Sequence, residues 1–585
     1  MRRWLLAYGL LSAPSAVSEK AFVYQLGPDG PNEAVWTGHD DDIFPAARSG
    51  ASAIVQPSGA VWLFGGSAVS RTGAAGNPAS DQLWELRVTT LTTNWSKVGG
   101  SGISGAFGRN GARGVASVRN WPGSRSGHAS WLAGGGMYIF GGSGYTLNSR
   151  GGSSYGRLSD IWLYQAGSWT WLGGPDAVGA RGIYPASAGA PPNATLWPGA
   201  RSGHIMQPIS PGIVVLFGGS GFGSNAAEAS PQQLNDLWKW NATSSLWQFL
   251  GGSTDVRAVA TYAASGGWPG AREGHVHWAS GTAGVCVFGG LGYGATSTRG
   301  MLNDLWCWQD GDTEWVLLGG SNGTATPAVY TGAEAWPGGM YGAAAAALNS
   351  SAVWVFGGYG MASASSGSEG TLNALWFWGG STTAWNMLGG SQETDYPGVY
   401  GQLRSTADAA WPGGRQDAAL WLDEDGALWL FGGSGRARGG TSPGILADLW
   451  SFVDKCEHVD VLNSPTACTV GAGMSCVYSC NDGYAVGGLH TCVSAVATGG
   501  QAELSGGSCI AATCAAPSLG AIQMVRSGCV DGGALGTSCD VGCIPGYRKV
   551  AGMPNDWYVA NNAWFIAVIS TTPAGRVVCQ SCLCV

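Results

Sequence analysis

The sequence predicts an all-β protein: a six-bladed β-propeller closed by the N-terminal strand and followed by small disulfide-rich β modules. Three observations lead to this prediction. Four short signatures recur in fixed order six times before residue 455. Each signature is a run of about five to eight β-branched, aromatic and leucine residues bounded by Gly or Asp, which is typical of a strand. Finally, 13 of the 15 cysteines lie after residue 455.

The composition excludes several classes of protein. The chain has 585 residues, of which 100 are Gly and 30 are Trp, and 45% are hydrophobic against 11% charged. This hydrophobic content is sufficient for a core and excludes a disordered chain. The 28 Lys and Arg residues against 36 Asp and Glu, with no basic run, argue against a nucleic-acid partner. No stretch reaches the roughly 20 apolar residues of a membrane helix, so we expect no membrane span.

The four signatures together define one four-stranded unit. They are Trp-Pro-Gly-x-Arg-x-Gly-His, an apolar run ending in Phe-Gly-Gly, Leu-Asn-Asp-Leu-Trp, and Trp-x-x-Leu-Gly-Gly. The first signature is complete at 121–128, 197–204 and 268–275 and altered at 44–51, 336–343 and 411–418. One such sheet cannot bury both of its faces, whereas sheets stacked radially around an axis can, which favours a propeller.

The ends of the repeat region predict how the ring closes. The sixth unit lacks a fourth strand, and an orphan fourth-strand pattern lies at 22–27. We therefore expect the N-terminal strand to complete the last sheet and leave no unpaired edge. The loops that follow Phe-Gly-Gly and Leu-Gly-Gly are long and the other turns are tight, so the long loops should share one face. Loops on a rigid scaffold are where recognition is expected, although slack Gly-rich filler is the alternative.

The set of Arg-x-Gly-His, Phe-Gly-Gly, Asp-x-Trp and Trp-x-x-Leu elements resembles the kelch-repeat propellers, among them the central domain of galactose oxidase. The resemblance covers roughly residues 20–453, and we place the propeller at 19–455. The sequence departs from the family pattern at Met340 and Ala343, where Arg and His are expected, and at Ala51 and Ala418 in place of His. Kelch propellers serve as adaptors, receptors and enzymes, so the resemblance implies a fold and no particular ligand.

The cysteine-rich tail contains a second internal repeat. Residues 473–484 match 536–547, and each copy has Cys-x3-Cys followed by Gly-Tyr. This pattern resembles sushi modules, which we place at 456–510 and 511–585; the unmatched Cys584 suggests that the second module is truncated. The rival interpretation is a zinc site, which the absence of paired Cys-x2-Cys spacing disfavours.

The sushi resemblance implies a set of disulfides. The family pattern pairs Cys456 with Cys492 and Cys480 with Cys509, which leaves Cys468 for Cys476. By analogy, the second module would pair Cys514 with Cys579, Cys543 with Cys582, and Cys529 with Cys539.

The N-terminus and the cysteines predict a secreted or cell-surface protein. Residues 1–18 have two arginines, an apolar stretch and a small-x-small site, which indicate a signal peptide; a chain start with no targeting role is the alternative. Dense cysteines are typical of extracellular modules. Five sequons fit a glycosylated surface: Asn94, Asn193, Asn241, Asn322 and Asn349.

Candidates for catalysis are few. His128, His204 and His275 occupy one repeat position in consecutive units, so we assign them a structural hydrogen bond near the axis. Cys286 and Cys307 are either a cross-strand pair or two buried thiols. Most Trp residues recur at fixed positions and are assigned to core packing rather than to sugar binding. We therefore assign no catalytic residue and no cofactor.

The third signature carries one Asp in most units. These residues are Asp160, Asp236, Asp304 and Asp448. One carboxylate per unit cannot supply the six or more oxygens that calcium takes, so we assign no metal ligand. A hydrogen bond that closes a turn accounts for the Asp residues.

Together these features predict a binding or adhesion protein, not an enzyme. We expect a monomeric propeller that recognises a protein or carbohydrate ligand through the long-loop face. The first alternative is an extracellular oxidase of the galactose-oxidase type, which would need two His ligands, two Tyr and a Tyr-Cys crosslink that these residues do not assemble. The second is an intracellular kelch adaptor, which would usually carry a BTB or F-box domain.

Overall fold

The computed structural model describes the strand at 22–25, most of 44–453, and the backbone of short strands in the tail. Between 44 and 453 it leaves out 69–78, 89–92, 104, 148–152, 264–265, 333, 365–366, 381–384, 401–409, 425–426 and 439–442. Contacts divide the chain into two units, one formed by Met1–Asp454 with Val496–Gln501 and the other by the rest of the tail. Within the described residues, every regular element is a β-strand.

The first unit contains six antiparallel sheets that are each built on four main strands, which follow chain order in the first five sheets. The first three sheets are Arg48–Val55, Val61–Ala68, Leu83–Val88 and Thr93–Gly99; Ala129–Ala133, Gly136–Leu147, Ser153–Gln165 and Ser168–Gly173; and Ile205–Ser210, Ile213–Phe217, Leu237–Asn241 and Leu246–Gly251. The fourth and fifth are Val276–Ser280, Gly284–Tyr293, Arg299–Gln309 and Val316–Gly319; and Ala344–Asn349, Ala352–Phe356, Leu375–Trp378 and Asn386–Gly389. The sixth is Ala419–Leu422, Leu428–Phe431, Leu449–Val453 and Phe22–Gln25.

The sixth sheet takes its outer strand from the start of the chain. Phe22–Gln25 runs antiparallel to Leu449–Val453, with Phe22 opposite Val453. The first and last strands of this unit therefore lie in one sheet, and the N-terminal strand covers the edge of Leu449–Val453.

Short strands extend the sheets at their inner ends. They are Arg125–Ser126, Arg201–Ser202, Ser220–Gly221, Gln232–Gln233, Arg272–Glu273, Met340–Tyr341, Tyr359–Met361, Glu369–Thr371, Arg415–Gln416, Ser434–Gly435 and Gly444–Ile445. Three further short strands, Ala116–Ser117, Thr261–Ala263 and Gly266–Trp268, lie in the connections between sheets.

The core lies between consecutive sheets, including between the sixth and the first. The second strand of the first sheet shows how the sequence achieves this. Val61 and Leu63 pack toward the sixth sheet, whereas Trp62 and Phe64 pack toward the second. Because side chains alternate along a strand and both faces are covered, the strand has an unbroken hydrophobic sequence. The result is a β-propeller-like all-β fold.

Six peptide groups at the start of the sheets are hydrogen-bonded in a cycle. The amides of Gly127, Gly203, Gly274, Gly342, Asp417 and Gly50 each donate to the carbonyl of the member in the preceding sheet, at 2.7 to 2.9 Å. All six residues have positive φ, from 54° at Asp417 to 65°. Glycine accepts this conformation without a Cβ clash, and Asp is one of the few other residues that adopts it.

A buried arginine joins the strands of the second, third, fourth and sixth sheets. Arg201 donates to both carboxylate oxygens of Asp236, at 2.6 and 2.7 Å, and to the carbonyl of Gly218. Trp238 and Tyr184 each donate to the same carboxylate at 2.7 Å. Equivalent pairs are Arg125 with Asp160, Arg272 with Asp304, and Arg415 with Asp448.

The prediction that these Asp residues only close a turn is therefore wrong. A buried carboxylate and guanidinium are stable only when each is paired and hydrogen-bonded. The bidentate contact between the two groups, together with the Trp N–H donor, meets that requirement. The two partners lie 35 residues apart in different signatures, so spacing alone did not reveal their contact.

The fifth and first sheets alter this pair in two ways. In the fifth sheet, Met340 and Ala374 replace Arg and Asp, and both are buried. Because both charges are absent, neither is left unpaired. In the first sheet, Gln82 replaces Asp and accepts from Arg48 at 3.1 Å. Burial lowers the pKa of Arg48 to about 9.

The long connections before the second to fifth sheets contact the outer strand of the sheet that follows them. Ala116–Ser117 pairs with Ser168–Gly173, and Gly267 and Trp315 exchange two backbone hydrogen bonds. The Trp of Trp-Pro-Gly fixes each connection to the preceding sheet: Trp197 donates its indole N–H to the carbonyl of Ser159 at 2.7 Å. The described parts of these connections therefore cover strand edges that would otherwise be open to pairing.

Cys286 and Cys307 face each other on neighbouring strands of the fourth sheet and form a disulfide. Of the two interpretations of these residues, the cross-strand pair is correct.

The second unit consists of short antiparallel strands. Its strands are Lys455–Asp460, Ala467–Gly471, Ser475–Cys476, Tyr484–Val486, His490–Val493, Glu503–Ser505, Cys509–Ala511, Thr513–Cys514, Met524–Ser527, Gly533–Ala534, Asp540–Cys543, Arg548–Lys549, Trp557–Ala560, Ala563–Ile566, Ser570–Thr571 and Val577–Val578. The side chains of the tail cysteines and residues 1–18 lie outside the described part, so the assigned disulfides, the sushi modules and the signal peptide stay predictions.

Removing one partner of a buried pair should destabilise the fold more than removing both. We expect Asp304→Ala to lower the free energy of unfolding by about 3–5 kcal/mol, because it leaves the buried Arg272 guanidinium uncompensated. The double variant R272M/D304A copies the fifth sheet and should lose less. Chemical denaturation followed by Trp fluorescence measures both, and a double variant less stable than D304A would contradict the expectation.

Candidate functional site

One side chain from each sheet borders the cycle of peptide groups. It is the residue between Arg and Gly of the first signature, and in chain order these residues are Ser49, Ser126, Ser202, Glu273, Tyr341 and Gln416. From the second sheet on, each packs over the cycle glycine of the preceding sheet. The first three sheets thus contribute a small hydroxyl, and the last three contribute long polar groups. We call the part formed by Glu273, Arg299, Tyr341, Gln416 and Asp417 the axial mouth.

Glu273 is held by two donors from neighbouring strands. Its Oε1 accepts from Gln233 Nε2 at 2.7 Å and from Arg299 Nη2 at 3.2 Å. Both donors bind the same oxygen, and no hydrogen bond from a described residue reaches Oε2. The carboxylate is half-buried, where a hydrogen bond to it is stronger than in bulk water.

Asp417 occupies the sixth place in the cycle, where the other five sheets have glycine. The residue as a whole has an exposed surface, whereas its carboxyl group lies among protein atoms that reduce its hydration, and Gln416 Nε2 donates to its Oδ2 at 3.3 Å. Burial raises the pKa of Asp417 to about 6, and the negative charge of Glu273 also raises it. The carboxyl is thus close to its titration point at neutral pH and can accept or, when protonated, donate.

Tyr341 supplies a phenol beside these carboxyls. Its ring lies 5.6 Å from that of Tyr359, its cross-strand neighbour. Burial raises the pKa of Tyr341, the charges of Asp417 and Glu273 raise it further, and Arg299 opposes them. The hydroxyl therefore keeps its proton at physiological pH and can donate it. The axial mouth combines two carboxyls, a guanidinium, a phenol and an amide.

The three repeat histidines are buried, and the predicted structural hydrogen bond is seen at His128. His128 Nε2 lies 2.8 Å from Ser52 Oγ, and burial, with the charge of Arg125, lowers the pKa of His128 to about 3. His204 and His275 have pKa values well below the ordinary range for the same reason, burial first and the neighbouring arginine second. Each of the three rings contacts a Phe of the preceding sheet edge to face. All three are neutral at physiological pH.

Four sequon asparagines are exposed, and Asn241 is half-buried. In Asn193, Asn241 and Asn349 the side-chain oxygen accepts from the backbone two residues on, at 2.7 to 3.0 Å. That contact uses the oxygen and leaves the amide nitrogen, the atom that would be glycosylated. Glycosylation of the five residues stays a prediction.

The described part of the chain contains no group of three His, Cys, Asp or Glu side chains able to hold a metal ion. No helix long and apolar enough to cross a membrane occurs among the described residues.

Sequence reasoning missed both the axial mouth and a fifth recurring signature. The mouth residues stand where copies of one repeat differ, from Ser in three units to Glu, Tyr and Gln in the others, and that divergence was a usable signal. The fifth signature is a β-branched residue followed by Tyr: Ile183-Tyr184, Thr261-Tyr262, Val329-Tyr330 and Val399-Tyr400. Three of these Tyr hydroxyls donate to the paired Asp of the next sheet, at 2.7 to 2.8 Å.

Comparisons with known proteins add a structural neighbour and no family. No protein-family description matches the chain, and no curated protein matches it. Among solved structures 242 chains match. One of them, described as "Structure of YjhT", has 13% sequence identity and a TM-score of 0.40, and the match covers 70% of this chain and 95% of that one.

The raised pKa of Asp417 predicts a pH-dependent stability. A folded-state pKa of about 6 lies above the ordinary 3.8, so protonation favours the fold: the contribution is complete below about pH 4 and is lost as the pH rises through about 6. Asn tolerates the positive φ and cannot ionise. We expect Asp417→Asn to match the wild type at pH 4 and to unfold at a higher midpoint at pH 8.

Unfolding midpoints measured from pH 4 to 8 test this expectation. Asp310→Asn is the control, because Asp310 pairs with Lys239 and its loss should bring no gain at high pH. A difference between D417N and wild type that does not change with pH would contradict the assignment.

Proposed function

We propose that residues 19–455 form a closed six-bladed kelch propeller whose axial mouth binds a polar group of a protein or glycan ligand without transforming it. Closure is supported by the hydrogen-bonded cycle, which returns from Asp417 to Gly50. It is also supported by the apolar interface between the sixth and first sheets, where Trp95 and Phe431 rings lie 5.4 Å apart. The N-terminal strand completes the sixth blade in this arrangement.

The asymmetry of the axial mouth is the observation that favours binding. Serines line half of the opening and leave space, while Glu273, Tyr341 and Asp417 line the other half with hydrogen-bonding groups. Carboxylates that accept beside a phenol that donates suit a ligand rich in hydroxyl or ammonium groups. A sugar ring presents several hydroxyls in fixed directions, and a peptide presents backbone and side-chain donors.

Exposed apolar side chains elsewhere on the first unit also suit recognition. Thirteen large apolar side chains in the described residues are exposed. They lie in the long connections, in the hairpin between the second and third strands, or on outer strands: Val98, Ile103, Phe107, Val115, Val118, Tyr155, Ile183, Val259, Val316, Leu318, Val329, Tyr396 and Val399. The tight turns at the opposite end contribute none, which favours the long-loop face as the binding face.

We further propose that the protein acts outside the cell or at its surface. The 13 cysteines of the tail and the Cys286–Cys307 disulfide suit an oxidising compartment. The same disulfide disfavours the intracellular adaptor. It also disfavours an oxidase of the galactose-oxidase type, because both propeller thiols are bonded to each other and neither is free to crosslink to Tyr.

Substitution in the axial mouth should weaken ligand binding. On a glycan and peptide array we expect binding that falls about 10- to 100-fold in Glu273→Gln, because a hydrogen bond to a charged group is worth about 1.5–3 kcal/mol. Tyr341→Phe should fall less. Glu424→Gln, the same change in an exposed tight turn, is the matched control. Binding that is insensitive to E273Q and Y341F, or equally sensitive to E424Q, would contradict the proposal.

Peptide mapping under non-reducing conditions tests the location. In protein purified from its native source we expect a mature N-terminus near residue 19, a Cys456–Cys492 crosslink, and glycans on sequons. A retained Met1 with free tail thiols would favour an intracellular protein instead.

A further inference from the structure

The charge of the chain is distributed unevenly. Residues 86–159 contain eight Lys and Arg and no Asp or Glu, although the whole chain has a net charge of -8. This segment covers the end of the first sheet, the connection that follows and most of the second sheet. A local excess of one sign against the overall charge indicates a partner of the opposite sign.

Three of these arginines are exposed and form no ion pair with a described carboxylate. Arg109, Arg113 and Arg119 all lie in the connection between the first and second sheets. By contrast, Arg87 pairs with Glu85, and Arg125 is buried against Asp160. The positive charge of the connection is thus not neutralised within the described part of the fold.

The backbone of this connection is held against the second sheet. Gly114 donates its amide to the carbonyl of Trp171 at 2.8 Å, and Ala116–Ser117 pairs with the outer strand Ser168–Gly173. Arg113 Nε donates to the carbonyl of Leu172 at 2.8 Å. Leu172 and Trp169 are three residues apart on that strand, so Arg113 and the turn after Ser117 are about 10 Å apart along the edge.

The turn from Ser117 to Asn120, which carries Arg119, is held by hydrogen bonds. Asn120 donates its amide to the carbonyl of Ser117, and its side chain donates to the carbonyls of Val115 and Trp169 at 2.8 and 3.2 Å. Asn120 is buried, whereas Val118 at the corner of the turn is 80% exposed. An apolar side chain held in solvent next to arginines is a feature of binding surfaces.

Aromatic rings adjoin the other end of the row. Phe107 and Arg109 are both exposed and flank the buried Gly108, so they lie on the same side of an extended segment. The Phe107 ring lies 6.0 Å from Tyr145, which lies 5.0 Å from Tyr155. Together Phe107, Arg109, Arg113, Val118 and Arg119 form what we call the arginine edge.

We propose that the arginine edge binds an acidic polysaccharide, bearing sulfate or carboxylate groups, along the outer strand of the second sheet. Guanidinium groups bind these oxyanions with two parallel hydrogen bonds. A row of them along a strand matches a linear polymer better than a single small anion, and exposed aromatic rings offer faces for the sugar rings. The site is distinct from the axial mouth, which is formed by the fourth to sixth sheets and is acidic.

An acidic polysaccharide fits these observations better than a membrane or a nucleic acid. The guanidinium of Arg113 lies against the strand edge, Arg119 follows the segment that pairs with the other part of that strand, and Arg109 pairs through its backbone with Trp121. The three arginines are therefore not gathered at one protruding tip that a flat lipid surface would meet. The proposed extracellular location also favours a polysaccharide over a nucleic acid.

Binding of the full-length protein to dextran sulfate, with uncharged dextran as the reference polymer, tests the proposal. We expect wild type to bind dextran sulfate and not dextran. The triple variant R109Q/R113Q/R119Q should weaken binding at least about tenfold and make it less salt-dependent, because fewer counterions are released. R109K/R113K/R119K keeps the charge and should recover most of the affinity.

The matched control is R87Q/K239Q/R257Q, which removes the same charge from cations paired with carboxylates. It should change the affinity less than about twofold. E273Q should bind dextran sulfate as the wild type does, which separates this site from the axial mouth. Unfolding midpoints of all variants establish that they fold.

Three results would overturn the proposal. The first is equal weakening in the triple variant and its matched control. The second is wild-type binding to dextran sulfate that is absent or no stronger than to dextran. The third is arginine-dependent binding to phosphatidylserine vesicles or to DNA that exceeds binding to dextran sulfate, which would assign the arginine edge to a lipid or nucleic-acid partner.

Discussion

The buried pairing of arginine and aspartate is the interaction on which the sheets of the first unit depend. In the third sheet, Arg201 holds Asp236 and a carbonyl of the second strand, while the Trp238 indole and the Tyr184 hydroxyl bind the same carboxylate. Tyr184 comes from the connection that precedes the sheet. One carboxylate therefore holds two strands and this connection together. Losing one member of such a pair destabilises the fold more than losing both. This explains why the fifth sheet replaces both members, with Met340 and Ala374.

The close approach of six backbone segments determines where recognition is placed. The hydrogen-bonded cycle requires positive φ at every member, and five members are glycine. The residue before each member is free to vary because it borders the opening and not the core. Variation there changes the lining without disturbing the arginine pairs behind it, so Glu273 and Tyr341 can differ from Ser126 at no expense to the sheet. Asp417 is a member of the cycle itself and brings a carboxyl into the opening.

The molecule presents two surfaces of opposite character. The axial mouth has carboxyls and a phenol from the fourth to sixth sheets, and the arginine edge, on the second sheet, has guanidinium groups that form no ion pair with a described carboxylate. Both are built on segments that serve the fold: the mouth on the cycle, and the edge on a connection that covers an outer strand. A connection already pinned by backbone pairing and by Asn120 loses little conformational entropy on binding, which favours recognition there.

The sequence alone determined the elements of this protein and their order. Runs of β-branched, aromatic and leucine residues with Gly or Asp boundaries marked the strands, and repetition indicated sheets of one design, because each motif has a local physical cause. The run of four hydrophobic residues, Val61, Trp62, Leu63 and Phe64, was visible in the sequence. Only the tertiary structure decided which distant groups meet. The Arg201–Asp236 pair, the carboxyl environment of Asp417, the Cys286–Cys307 bond and the course of 105–120 along a strand edge all join segments that are separate in the chain. Their geometry follows from packing between sheets, which no local pattern encodes.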